Sequence, residues 1–313
     1  MSQTALLSGD AGIAKAAELL RAGETVAFPT ETVYGLGADA TSGLAVAKIY
    51  EAKGRPQFNP LIVHAATIDA ALRLIDLPEA GQQLASTFWP GPLTLVGPVR
   101  ADTRIASLVT AGLPTLGVRV PASPLAQALL EAANSPVAAP SANPSGRISP
   151  TTAAHVMEGL SGRIAAVLDG GQCSVGLEST IVGFDGDRAV LLRPGGVPAE
   201  DLETALGAPL HAPEETTITA PGQLASHYAP GSPVLLNASP MPGALYLGFG
   251  PGESDLNLSP SDDLHEAAAN LFTHLHSLDA RAEGRPIHVA PIPDRGLGRA
   301  INDRLRRAAA PRT

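Results

Sequence analysis

The chain has 313 residues, 44% of them hydrophobic and 16% charged, and a formal net charge of −9. This length and apolar content support one large domain or two smaller ones with packed cores. The acidic balance argues against a general DNA- or RNA-binding protein, which usually carries an excess of Lys and Arg, but it does not exclude a pocket with local positive charge.

Cysteine content and the N-terminal sequence bear on the cellular compartment. A single cysteine, Cys173, excludes an intramolecular disulfide and is typical of a cytosolic protein. The first segment lacks a charged stretch followed by an apolar core, so we expect no signal peptide. No apolar run reaches the roughly 18 residues that a membrane span needs. We therefore expect a cytoplasmic protein.

Helical and strand-like segments follow one another irregularly through the first 206 residues. Apolar periodicity and caps predict helices at 10–22, 43–53, 123–134, 150–159 and 198–206. Short apolar runs predict strands at 24–28, 61–64, 92–99, 115–120, 135–140, 165–169, 179–184 and 189–193. Several strands lack an intervening helix, which predicts a mixed, twisted sheet. Gly54 is expected to end the second helix, and Ser149 with Pro150 to begin the fourth.

The alternation stops after Gly207, where a proline-rich stretch without a clear period begins. Strands at 233–237, 244–249 and 287–292 and helices at 262–278 and 296–309 then indicate a second, smaller α/β unit. We therefore predict a first domain at 1–207, a linker at 208–230 and a second domain at 231–313.

The segment "AFPTETVYGLGADA" contains the outline of a dinucleotide-binding fingerprint, G-x-G-x-x-A, at Gly35, Gly37 and Ala40. A true fingerprint has its strand running directly into the glycines, whereas Pro29 interrupts here. We interpret the glycines as a tight turn leading away from a pocket. The preceding "TET" is either a set of turn formers or a group of ligand-binding side chains at a strand end.

Two cationic segments indicate an anionic partner. Lys53 and Arg55 either complement the C-terminal dipole of a helix or clamp a polyphosphate. Arg119 lies in an otherwise apolar strand, where a guanidinium needs either a structural carboxylate or a bound anion. The loops "APSANPSGRISP" and "GLESTIVG" offer hydroxyl, amide and backbone N–H groups that suit an anion, although plain turns would look the same. Together these segments indicate a pocket for an anionic ligand.

Six blocks occur in the order and spacing of a known family: "FPTETVYGLGADA", "KGRPQFNPLIVH", "FWPGPLTLV", "GVRVP", "APSANPSGRISP" and "LESTIV" with "LLRPG". The chain resembles the YrdC-like family of threonylcarbamoyl-AMP synthases in its long, two-domain form. The resemblance covers about residues 10 to 200, and "PGQLASHYAP" is similar to the family's interdomain linker.

The resemblance implies an α/β fold, with a twisted mixed sheet in the first domain, a linker and a smaller Rossmann-like domain. It implies a nucleotidyltransferase that combines L-threonine, bicarbonate and ATP, with Mg²⁺, into L-threonylcarbamoyl-AMP and releases pyrophosphate. The product would pass to the machinery that modifies the tRNA adenosine next to the anticodon. Neither stable tRNA binding nor a membrane is expected.

Carried over by matching positions, the resemblance implies two groups of site residues. The threonine group is Thr32, His64, Arg119, Ala139 and Ser179. The ATP group is Lys53, Arg55, Asn59, Thr115, Ser141, Asn143, Ser149, Arg193 and Tyr228. No side chain is expected as acid, base or metal ligand. Tyr228 would close over the nucleotide, but Ala220 and Gln223 replace a serine and a methionine typical of the family's linker.

Other functions remain open at this stage. An RNA-binding module would use the arginine-rich run from Asp294 to Thr313, which a solvated helix face also explains. A nucleotide sensor would share the fold without the synthase activity. Hydrogenase maturation proteins also contain a YrdC-like domain, but with cysteine-rich zinc modules that one cysteine cannot build.

Overall fold

The computed structural model describes residues 3–56, 59–213 and 227–311. Strands of its first sheet are β1 (Ala5–Leu7), β2 (Val26–Pro29), β3 (Tyr34–Asp39), β4 (Ile62–His64), β5 (Leu93–Pro98), β6 (Thr115–Arg119), β7 (Val137–Ala138), β8 (Ala166–Leu168), β9 (Thr180–Asp185) and β10 (Arg188–Arg193). Helices of the same part are α1 (Gly9–Arg21), α2 (Gly43–Lys53), α3 (Ile68–Leu72), α4 (Glu79–Phe88), α5 (Ser107–Thr110), α6 (Pro124–Ala133), α7 (Ala153–Leu160) and α8 (Ala199–Leu206).

The first sheet has the order β1-β8-β2-β3-β7-β4-β6-β5-β9-β10. The β1–β8, β2–β8, β4–β6 and β5–β9 pairs are parallel. The other pairs are antiparallel, which confirms the predicted mixed sheet. Apolar side chains form clusters against it, one of them where α1 packs on α6.

Local caps explain where two helices begin and end. The Ser42 hydroxyl accepts from Ala45 N at 3.2 Å, and Gly54 ends α2 with a φ of 59°, so this helix has its predicted bounds. The predicted start at Ser149 of the helix expected at 150–159 is wrong. α7 begins at Ala153, after the Thr152 cap, because the Ser149 hydroxyl is engaged by a distant carboxylate instead.

The glycines of "YGLGAD" lie within a strand, so their interpretation as a tight turn is wrong. β3 pairs antiparallel with β2, and residues 30–33 make the turn between them. A Cβ on Gly37 would lie 2.8 Å from Cε1 of Phe28 and 2.9 Å from Cγ1 of Val137. Glycine is therefore present because neighbouring side chains pack directly on the backbone of this strand.

A second sheet forms the C-terminal unit, and all of its strands are parallel in the order β11-β14-β12-β13. Its elements are β11 (Val234–Leu235), β12 (Leu245–Gly248), β13 (Leu256–Asn257), α9 (Leu264–Ala282), β14 (Ile287–Val289) and α10 (Leu297–Ala309). This confirms the second α/β unit. Its apolar core continues into the first unit through Val33, Ile148, Leu177 and Tyr228.

The predicted domain boundaries, with the first domain ending at 207 and the second beginning at 231, stay predictions. Ala220 and Gln223, on which the expected linker departs from the family, lie outside the described residues. Of the helices in the described ranges, none has the length and apolarity to cross a membrane.

Replacing Gly37 with Ala should destabilise the protein by about 1–3 kcal/mol, because the new Cβ overpacks Phe28 and Val137. The loss is read from the midpoint and slope of urea unfolding. Gly43→Ala is the matched control, since a Cβ there meets nothing within 4 Å. Equal stability of the two variants would contradict this account of β3.

Candidate functional site

A pocket lies between the β2–β3 turn, the ends of β4 and β6, and the segment that enters the C-terminal unit. Of the fourteen residues expected at the site, nine line this pocket. They are Thr32, Arg55, His64, Arg119, Ala139, Ser141, Ser179, Arg193 and Tyr228. The structure therefore brings all five residues of the threonine group together with four of the nine residues of the ATP group.

Arg119 and His64 meet because β4 and β6 are parallel neighbours that pair these two residues in register. Nη1 of Arg119 donates to Oγ1 of Thr32 at 2.8 Å, and its Nε donates to the Gly91 carbonyl. Its Nη2 lies 2.7 Å from Oε1 of Glu31, an ion pair whose angles are not those of a hydrogen bond. Arg119 thus lines the pocket with a structural carboxylate beside it.

The hydroxyls of the β2–β3 turn form a directed chain of hydrogen bonds. Thr32 accepts from Arg119 and lies 2.7 Å from the hydroxyl of Thr30. Thr30 in turn donates to the Val33 carbonyl at 2.7 Å. Because that carbonyl only accepts, Thr32 must donate to Thr30, which fixes the direction of its hydroxyl in the pocket.

His64 is neutral at physiological pH. Burial, reinforced by the charge of Arg119, lowers its pKa to about 3. Nδ1 has no hydrogen-bond partner among the described residues, and Phe28 packs edge-on against the ring at 6.1 Å. The side chain therefore adds a polar group to the pocket without adding charge.

Arg55 and Arg193 also bring positive charge to the pocket. Burial lowers the pKa of Arg55 to about 10, so the group stays protonated at neutral pH. Its Nη2 donates to the Pro60 carbonyl at 2.9 Å, and Arg193 donates to the carbonyl of Ser179 at 2.8 Å. With Arg119, these arginines make the pocket suitable for an anion.

Lys53 and Asn143 lie behind the pocket surface rather than on it. Nζ of Lys53 donates to the carbonyls of Ser141 and Asn143, both at 2.5 Å. The amide of Asn143 donates to the carbonyls of Pro144 and Arg147. Burial, together with the charge of Arg55, lowers the pKa of Lys53. Both side chains hold the shape of the 141–147 loop.

Three other expected residues also lie off the surface of this pocket. The backbone carbonyl of Asn59 accepts a hydrogen bond from Nε of Arg55 at 3.3 Å. Thr115 lies at a separate small cavity, lined also by Thr94. Ser149 is fully buried and donates to Glu178 at 2.5 Å.

Glu178 and His227 line the pocket, although sequence reasoning did not single them out. Glu178 accepts from Ser149 and from Nε of Arg304, which belongs to α10. Burial alone would raise the pKa of Glu178, but Arg304 and Arg193 hold it below its ordinary value. The one signal in the sequence was an acid standing alone in the hydroxyl-rich loop "GLESTIVG".

Tyr228 lies ahead of the C-terminal unit in the chain, lines the pocket and is buried there. Its backbone has a φ of 62°, a left-handed conformation that is uncommon for an aromatic residue. Its ring packs on Phe272 of α9 at 5.6 Å and on His227 at 4.1 Å. The side chain is thus held by the C-terminal unit while it faces the pocket of the first.

Acidic side chains near the pocket are already engaged. Glu31 lies against Arg119, and Glu178 against Arg304. Within residues 3–56, 59–213 and 227–311, no three His, Cys, Asp or Glu side chains are arranged to hold a metal ion.

Three arginines of the C-terminal run form ion pairs. Arg299 lies 3.3 Å from Glu200, Arg304 lies 2.8 Å from Glu178, and Arg307 lies 3.1 Å from Asp303. These contacts favour a structural explanation of the arginine-rich run over an RNA-binding one.

Two family models match consecutive parts of the chain. One, described as "Telomere recombination", matches residues 18–195. The other, described as "Threonylcarbamoyl-AMP synthase, C-terminal domain", matches residues 197–310. Together they cover the second sheet and every strand of the first sheet except β1.

Curated relatives and a solved structure agree with these models over nearly the whole chain. A threonylcarbamoyl-AMP synthase of Bacillus subtilis is 43% identical, with 98% of this chain and 95% of the relative aligned. One of Pyrococcus abyssi is 40% identical over 94% and 93%. The crystal structure of the P. abyssi protein Sua5 complexed with L-threonine superposes with a TM-score of 0.89, at 38% identity and 98% coverage of both chains.

The depressed pKa of His64 predicts a loss of stability in mild acid. An unfolded histidine binds a proton near pH 6.5 and folded His64 only near 3, so stability falls as the pH drops through this window. Between pH 7.5 and 5, urea unfolding should show the wild type losing about 2 kcal/mol more than His64→Gln.

The exposed His265 provides the control for that experiment. His265→Gln should lose as much stability as the wild type over the same pH interval. If His64→Gln also loses as much as the wild type, His64 is not buried as a neutral group.

Proposed function

Because the chain belongs to the family of threonylcarbamoyl-AMP synthases, we propose that its arginine-lined pocket binds L-threonine and ATP side by side. The chain is a nucleotidyltransferase-type enzyme whose activity is the synthesis of threonylcarbamoyl-AMP. We further propose roles for individual residues and bicarbonate as the third substrate.

The proposed reaction needs positioning more than acid–base catalysis. The amine of threonine and bicarbonate combine, with loss of water, to a carbamate. A carbamate oxygen then attacks the α-phosphorus of ATP, the bond to the bridging oxygen breaks, and pyrophosphate leaves. Such a transfer depends mainly on alignment and on neutralising negative charge. The observation that carries the proposal is the set of three guanidinium groups, of Arg55, Arg119 and Arg193, on one pocket.

At the threonine end, we assign the amino acid's carboxylate to Arg119. Arg119 lines the pocket, and its contacts with Thr32, Gly91 and Glu31 hold its guanidinium there, which supports this assignment. Thr32 and neutral His64 offer polar contacts next to it, and Ala139 and Ser179 complete this end. Glu31 would balance the guanidinium while the site is empty of substrate.

At the nucleotide end, Arg55, Ser141, Arg193 and Tyr228 are the assigned residues on the pocket surface. Lys53 and Asn143 act on the triphosphate through the loop that they hold. Asn59, Thr115 and Ser149 are retained for the nucleotide on the resemblance alone. Tyr228 would exclude water from the labile carbamate and adenylate.

We assign Mg²⁺ to the nucleotide rather than to the protein. When bound, it would neutralise charge on the triphosphate. The nearby carboxylates, Glu31 and Glu178, are committed to arginines, so no side chain is assigned as its ligand. The proposal also has the product pass to tRNA-modifying machinery in the cytoplasm, without stable binding of tRNA.

The function is tested by pyrophosphate release from ATP and Mg²⁺ with threonine or bicarbonate omitted in turn. We expect rapid release only when both are present, and an adenylate product that contains the threonine. Release that is indifferent to both omissions would contradict the proposed reaction and favour a simple nucleotide hydrolase.

Arg119→Lys should raise the KM for threonine about tenfold or more while ATP KM stays nearly constant, because Lys keeps the charge beside Glu31 but loses the planar fork. Steady-state kinetics with each substrate varied in turn measures both constants. Arg100→Lys, at an exposed ion pair with Asp76, is the matched control. An equal rise in both KM values would argue against the carboxylate contact.

A further inference from the structure

A buried ion pair joins the C-terminal unit to the wall of the pocket. Arg304 of α10 is the bulkiest of the fully buried side chains in the described residues. Its Nε donates to Oε2 of Glu178 at 2.8 Å, and its Nη1 donates to its neighbour Asp303 at 2.7 Å. Glu178 itself lines the pocket.

Stability alone does not explain this pair. Taking a guanidinium and a carboxylate out of water is costly, and well-packed apolar side chains of similar volume often stabilise a protein as much or more. Apolar side chains of both units already meet at this boundary, at Leu177 and Phe272 among others. The charge pair is therefore better explained by something that an apolar contact could not supply.

The contact between Arg304 and Tyr228 indicates what the charge pair supplies. Its guanidinium lies over the ring of Tyr228, with its central carbon 5.3 Å from the ring centroid. The ring also packs on Phe272, and its backbone keeps a left-handed φ of 62°. A strained conformation of this kind persists only where the surroundings fix it, and such residues are common at ligand-binding sites. Because Glu178 holds the guanidinium of Arg304 in place, this planar cation lies over one face of the Tyr228 ring and fixes the ring's orientation.

We propose that Arg304 is a positioning residue for the nucleotide: anchored by Glu178, it holds the ring of Tyr228 against the pocket. The C-terminal unit thereby completes the pocket of the first unit, although α10 itself does not contact the substrates. This inference rests on the proposed role of Tyr228 at the nucleotide end. It assigns to the C-terminal unit a part in ATP binding.

Arg304→Lys is the central variant, because it keeps a positive charge for Glu178 but removes the flat group above Tyr228. We expect it to raise the KM for ATP at least about fivefold, as expected for the loss of a desolvated cation–π contact, with the KM for threonine nearly unchanged. Arg304→Met should raise it further. Arg306→Met, an exposed arginine on the same helix, is the control and should match the wild type.

A double-mutant cycle tests whether Arg304 acts through Tyr228. If it does, Tyr228→Ala combined with Arg304→Lys should have the ATP KM of Tyr228→Ala alone. Additive effects of the two substitutions would overturn the proposal. So would a normal ATP KM in Tyr228→Ala or in folded Arg304→Lys, or an equal change in the KM of both substrates, which is what a merely structural role produces.

Two controls keep the results separable. Thermal unfolding confirms that each variant is folded, and Arg304→Lys carries the test if Arg304→Met does not fold. Threonine- and bicarbonate-dependent pyrophosphate release by the wild type is measured first. Its absence would overturn the proposed function, whereas a normal wild type with an indifferent Arg304→Lys would overturn this inference alone.

Discussion

A guanidinium removed from water must be given partners, and this constraint organises the region between the two sheets. Arg119 is held by Thr32, Gly91 and Glu31, and Arg55 by two backbone carbonyls. Arg119 is fixed by groups on loops outside its own strand, and Arg55 by the loop that follows it. The loops that surround the pocket are therefore tied down by the same contacts that keep positive charge inside it.

Holding the charge in advance has a chemical consequence. A site whose cations are already desolvated and oriented needs little reorganisation when negative charge develops on a transferring phosphoryl group. Burial keeps His64 neutral while Arg55 stays charged, so the same dry environment separates polar contacts from charged ones. A strong general base is not required for the transfer, and the two buried carboxylates of the region serve arginines instead.

The sequence predicted α2 with its bounds and the mixed sheet, because helix caps and apolar periodicity are local signals. It misinterpreted β3, where Gly37 is required by Phe28 and Val137, two residues on other strands. The same contrast between local signals and tertiary contacts applies to the site. Residues on matched motifs mostly line the pocket, but neither Lys53 behind its loop nor Arg304 in a distant helix could be placed without the tertiary structure. Local pattern carries no information on contacts across 126 positions of sequence.

The contact between α10 and the pocket wall shows why the C-terminal unit is attached through charge as well as through apolar packing. Apolar contacts such as those of Phe272 tolerate small sliding movements of one surface on another, since they have little directional preference. A buried ion pair tolerates much less, because displacement leaves both charges unpaired in a dry interior. With Nε of Arg304 fixed on Glu178, the guanidinium plane and the ring beneath it have one position relative to the first sheet. Directional contacts of this kind convert an interface between two units into a defined wall of one pocket.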